Sequence, residues 1–171
     1  FRVLAVDGSH IDVDRHMASR CYLINIGSCI LTYGSNPDAQ LFSRPRLYSQ
    51  HDELYLADPT SLTREVSVTG EVLGWKRAVE EAKALAETTE TTISDLPLLT
   101  LLDGSLVMFR FPAHGQDFIR DIMLKEGLIP ALDSLYSTSL LNTLATASYI
   151  SLPGSTDVVN ALRMNHTYCP Y

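Results

Sequence analysis

"PLLTLLDGSLVMF", residues 97–109, is an apolar run that ends in Asp-Gly-Ser. A near-continuous run of this kind marks a central strand buried on both faces. The same tripeptide follows the chain's first apolar run, "FRVLAVDGSH", residues 1–10, which alternates and is rich in β-formers. Asp-Gly favours turns, because glycine tolerates positive φ and aspartate caps backbone N–H groups. Taken singly, each DGS reads as a turn. Taken together, they place Asp7 and Asp103 at the C-terminal ends of two strands, the edge of an open α/β sheet where ligand sites collect. If the strands are neighbours the carboxylates converge, and close carboxylates repel unless a cation lies between them. The glycine would let a phosphate backbone approach, and the serine offers a hydroxyl.

Outward from these runs, "CYLINIG" (21–27) and "SCILTYG" (28–34) read as two strands joined tightly at Gly27-Ser28, a hairpin. Residues 35–60 hold three prolines and little periodicity, and predict an irregular excursion. "EVLGWKRAVEEAKALAE" (71–87) predicts a helix, extendable back toward Ser61, with Trp75, Val79, Ala82 and Ala86 on one face. "SLVMFRF" (105–111) prolongs the buried strand or pairs with it. "GQDFIRDIMLKEG" (115–127) is an amphipathic helix stopped by Gly127, and "LIPALDSLYSTSLLN" (128–142) is another. "LATASYISL" (144–152) is a strand, and "STDVVNALR" (155–163) a helix capped by Ser155. Strands alternating with helices give an α/β fold.

The 171 residues, 46% hydrophobic, fit one domain with a real core. No apolar stretch reaches the roughly 20 residues that span a bilayer. The three cysteines form no C-x-x-C, so reduced thiols in a cytoplasmic protein are expected. A net charge of −7 means that any grip on phosphate is local, or supplied by metal ions or a partner. G-x-S-x-G and Walker A sequences are both absent.

The helix over 71–87 supplies a third acid. On a helical wheel Glu81 flanks the apolar stripe, whereas Glu80 lies nearly opposite it. Glu81 is therefore the acid aimed along the sheet toward the aspartates, with Glu80 as the fallback. Elsewhere, "HIDVDRH" sets His10, Asp12, Asp14 and His16 at a period of two, which in a strand shares one face. "SRPRLYS" offers Arg44 and Arg46 for phosphate and Tyr48 for base stacking, or is a surface loop. His51 and His114 read as solvated loop residues.

The order of these features, with an acid at the end of the first strand, a hairpin, a helix acid and an acid ending a buried strand, resembles the ribonuclease H-like fold. That is a mixed sheet flanked by helices, whose carboxylates hold divalent metals for phosphodiester cleavage. More narrowly, "AVDGSHIDVDRH", "YLINIGSCILTYG", "LLDGSL" and "ASYISLPGSTDVVNALR" resemble the NurA family of prokaryotic DNA nucleases. The resemblance spans most of residues 1–171 and implies a single NurA-like domain. It implies a Mn²⁺-dependent deoxyribonuclease, Mg²⁺ being the alternative ion, in which Asp7, Glu81 and Asp103 are both the metal ligands and the catalytic residues. It also implies a homodimer acting on DNA ends beside a HerA-type hexameric translocase, away from membranes. Family members are about twice as long and carry a C-terminal Tyr and His. "MNHTYCPY", with His166, Tyr168 and Tyr171, does not match that motif, so the expectation is a chain truncated at its C-terminus. Two rival readings stand beside the nuclease: a non-catalytic NurA-like interaction module, and a metal-dependent phosphohydrolase of small nucleotides.

Overall fold

The structure is a computed structural model and describes residues 1–13, 20–61, 63–106, 117–150, 159–160 and 162–164. Three eleven-residue strands come first: β1 (Arg2–Asp12), β2 (Tyr22–Thr32) and β3 (Asp38–Tyr48). They form an antiparallel meander paired along its whole length. A short helix α1 (His51–Leu54) and a small ribbon of β4 (Tyr55–Ala57) and β5 (Glu65–Ser67) lead into the long helix α2 (Gly70–Thr92). After α2 the chain re-enters the sheet as β6 (Leu98–Asp103), parallel to β1. Helices α3 (Asp117–Met123) and α4 (Ile129–Leu141) then return it to β7 (Leu144–Tyr149), parallel to β6. The sheet order is β3-β2-β1-β6-β7. Three antiparallel strands continued by two parallel ones, each parallel step crossing over through helix, make the ribonuclease H-like sheet.

The core lies between the sheet and α2. Leu4 and Val6 of β1, Ile24 and Ile26 of β2, and Leu98 and Leu102 of β6 are all buried on one face. Against them lie Val79, Ala82, Leu85 and Ala86 of α2, and α4 packs behind that helix. Each large aliphatic side chain so buried contributes about 1.5–3 kcal/mol. No helix among the described residues is long and apolar enough to cross a membrane.

Several expectations need correction. There is no hairpin at Gly27-Ser28. Gly27 sits in the middle of β2, paired with Asp7 on one side and Ser43 on the other, so a strand on each flank holds the backbone extended. The first DGS is not a turn either: β1 runs through Asp7-Gly8-Ser9 to Asp12 because β2 pairs with all of it. Residues 38–48 are not an excursion but edge strand β3, where Pro45 is tolerated because an edge need not donate every N–H.

Helix α2 begins at Gly70, with β5 before it rather than a continuation toward Ser61, and it runs on to Thr92. The hydroxyls of Thr89 and Thr92 donate back to the carbonyls of Leu85 and Thr88 at 2.6 Å each, which spares them partners outside the helix. Gly127 does not stop a helix. Residues Leu124–Leu128 form a π-helical turn that carries α3 directly into α4. The expectations for residues 107–111 and for most of 155–163 lie outside the described residues, as do Asp14, His16 and His114.

Candidate active site

The parallel ladder between β1 and β6 ends at the pair Val6–Leu102, so Asp7 and Asp103 are the next residues on adjacent strands at the same end. Side chains alternate across a strand. Val6 and Gly8 face α2, and Asp7 between them projects from the other face, exposed; Asp103, following buried Leu102, is exposed in the same way. Both acids line one cavity of about 610 Å³ on that face, with Gly27 and Asn25 from β2 and Tyr149 from β7. None of the described residues lining it is a cation. Beyond Asp103 the chain does turn. Gly104 adopts φ +99°, and its N–H donates to the Tyr149 carbonyl at 2.9 Å, which fixes the end of β6 against β7. The two DGS sequences thus do different work: the second is a turn, the first a mid-strand gap.

Glu81 fills that gap. It is buried, only 4% exposed, and reaches β1 from α2 where Gly8 has no side chain. A Cβ at position 8 would collide with Oε1 of Glu81 and lie 2.8 Å from its Cγ. The glycine is therefore required for the glutamate rather than for a phosphate backbone.

Arg77, one helical turn earlier, completes the arrangement. Its Nη1 donates to the Gly8 carbonyl at 2.8 Å, and its Nε lies 3.5 Å from Glu81 Oε1. Burial raises the Glu81 pKa from 4.5 to about 7. Arg77 opposes the rise, the negative charge of Asp7 adds to it, the Gly8 N–H bond opposes it, and Asp103 adds a smaller upward push. Both aspartates thus lie close enough to act on Glu81. Among the described residues, however, no three His, Cys, Asp or Glu side chains form a cluster ready to hold a metal ion.

Glu80 is elsewhere. It lies 3.7 Å from Lys76 and 3.9 Å from Lys83, on the β3 side of α2. Of the His/Asp series, His10 and Asp12 are exposed on β1. His51 stacks on Tyr55 at 4.8 Å and lies 3.6 Å from Glu65, an exposed position. Sequence reasoning overlooks Arg77 and Tyr149. The Arg-x-x-x-Glu spacing on a helix is the signal that points to the first. The second is signalled only by its register beside Asp103.

No family model matches the sequence, and no curated protein matches it. Among solved structures the chain is similar to LC9-RNase H1, a type 1 RNase H with the type 2 active-site motif. Identity is 7%, coverage is 95% of this chain and 69% of that one, and the TM-score is 0.39. A likeness of that size says nothing about chemistry; the strand order and the placement of the acids stand on their own geometry.

Proposed function

We propose that the chain is a divalent-metal-dependent nuclease that hydrolyses phosphodiester bonds in DNA. One observation carries the reading: Glu81 is seated against Gly8 of β1, beside Asp7 and Asp103, the residues that follow the last pair of the β1–β6 ladder. Three carboxylates are a hard oxygen donor set, suited to Mn²⁺ or Mg²⁺ rather than to softer ions. Asp7, Asp103 and Glu81 would hold the metal. When bound, it supplies neutralising charge for the phosphate and a water nucleophile at neutral pH.

The chain's own groups set the stage for this. Asp7 and Asp103 are fixed by the ladder and by the Gly104 turn. Glu81 is held by Arg77 and the Gly8 N–H, and its carboxyl can hold or release a proton near neutrality. The resemblance to the NurA family extends the proposal to Mn²⁺, to a homodimer, and to DNA-end processing beside a HerA-type hexameric translocase. The absence of a ready-made three-ligand cluster among the described residues favours the second reading, a non-catalytic interaction module of the same fold.

DNA degradation in Mn²⁺, in Mg²⁺ and in chelator separates the two. The nuclease reading expects metal-dependent cleavage that Asp103→Asn abolishes without lowering the melting temperature. A folded wild type that cuts nothing in either metal supports the module. An Asp103→Asn variant that cuts as well as wild type ends the nuclease assignment.

A further inference from the structure

Helix α2 packs over β1 and leaves β3 uncovered, ten of whose eleven residues are exposed. A trough therefore runs between β3 and the far side of α2. It comprises two cavities, of about 850 and 230 Å³, that share Arg44 and Glu87 as lining residues. Arg44 and Arg46 pair with the buried Ile26 and Ile24, so by alternation both project on the α2 side. Arg44 Nη2 donates to the Thr88 hydroxyl at 2.9 Å, and Arg46 lies over the Tyr48 ring at 4.6 Å. Arg2 and Lys83 add two more cations, opposed by Glu80 and Glu87. Glu53 pairs with Arg46 at 3.2 Å, so four cations stand against three acids and leave a small local excess of positive charge in a chain of net charge −7. The trough lies on the α2 face of the sheet, opposite the cavity of Asp7 and Asp103, and approaches it around the β3 edge, where Leu41 and Phe42 line both cavities.

We propose that this trough is the path of the sugar–phosphate backbone of a DNA strand, with Arg44 and Arg46 as its principal contacts. The occupant rests on the nuclease reading; the place rests on charge and spacing. Two residues along a strand cover about 6.8 Å, close to the separation of two successive phosphates on one DNA strand. Guanidinium forks suit phosphate oxygens bidentately. The present partner of Arg44, Glu87 at 3.6 Å, is itself exposed, with side-chain exposures of 54% and 68%, so exchanging it for a phosphate costs little.

The test is binding of a fluorescein-labelled 20-nucleotide oligothymidylate to the full chain in chelator, by anisotropy over a salt series. Each lost single-strand phosphate contact should lower the slope of log K against log salt by about 0.7. Arg44→Gln/Arg46→Gln should therefore lower it by about 1.4, and Lys83→Gln, which leaves the Thr88 bond intact, by about 0.7. Arg120→Gln, on α3, should leave the slope unchanged. Melting curves confirm that each variant folds. In Mn²⁺ the double variant should raise KM and leave kcat unchanged. A folded double variant with the wild-type slope overturns the path, as does a wild type that does not bind the oligonucleotide or that releases it equally well to poly-glutamate of the same length. The two readings fail separately. A wild type that binds with the expected slope but cuts nothing removes the nuclease and keeps the path. A wild type that cuts, beside a double variant of unchanged slope, removes the path and keeps the nuclease.

Discussion

A methyl group at position 8 would occupy the space held by the Glu81 carboxylate, so the two residues are coupled through a single contact. Gly8→Ala should force the glutamate out of its seat at a cost of about 1–3 kcal/mol, the usual range for overpacking. In a Glu81→Ala background the same change should cost less than about 1 kcal/mol, because the obstruction is gone. Thermal melting of the four proteins in the cycle checks this, and additive losses would show that the carboxylate does not sit there. Glu81 also makes stability depend on pH. Its pKa is higher folded than unfolded, so the folded state takes up a proton. The stability gained from the neutral form is complete below about 4.5 and is lost as pH rises through about 7. A shift from 4.5 to about 7 corresponds to about 3 kcal/mol. Without metal, Glu81→Gln should therefore melt several degrees above wild type near pH 8 and close to it near pH 4. Equal melting temperatures at both pH values would mean that Glu81 is not destabilised by its site.

At the scale of the element, the π-helical turn Leu124–Leu128 carries Gly127, which lies against Val79 of α2. A Cβ there would come within 2.5 Å of Val79 Cγ1 and 3.2 Å of Cγ2. Gly127→Ala should cost about 1–3 kcal/mol, or roughly 2–4 °C in Tm per kcal/mol for a chain of this length. Val79→Ala should restore most of it, and a Gly127→Ala variant that melts like wild type would show the packing to be loose. Gly127 also shows why some elements are legible in the sequence and others are not. As a string position it reads as a helix stop, since nothing local reveals that Val79, 48 residues earlier, needs its missing side chain. Gly27 reads as punctuation for the same reason, although strands on both sides hold it extended. Strand β3 shows no period because neither of its faces is packed, so alternation has nothing to record. Helix α2 is legible because burial writes its pattern directly; β6 is legible as a strand, but its apolar run reads as buried on both faces whereas Leu99 and Leu101 are only half-buried. In the site, the position of Glu81 follows from the apolar stripe. The Arg77 clamp does not, since its acceptor is a carbonyl on β1.

For the whole molecule, the question is what a divalent cation does to a chain of net charge −7 whose cavity at Asp7 and Asp103 has no cation among its described lining residues. Any ligand that binds the folded state and not the unfolded one stabilises by RT ln(1 + [L]/Kd), about 2.7 kcal/mol at a hundredfold excess over Kd. If Asp7, Glu81 and Asp103 hold the ion, Mn²⁺ should raise the melting temperature in a saturable way. The gain should shrink as pH falls, because the ligands bind metal only when ionised. Asp103→Asn keeps the size of the side chain and deletes one charge. Without metal it should fold at least as well as wild type, since one source of repulsion on Glu81 is gone. With Mn²⁺ it should lose most of the stabilisation. Exposed acids far from the site supply the control: Asp117→Asn, on α3, removes the same charge from the same chain and should leave the Mn²⁺ shift unchanged. The comparison separates a bound ion from general screening of an acidic protein. Screening would raise both variants alike and would also be reproduced by a monovalent salt of matched ionic strength. If the Mn²⁺ shift survives Asp103→Asn at full size, Asp7, Glu81 and Asp103 are not a metal site, and the nuclease proposal loses its chemistry while the fold stands.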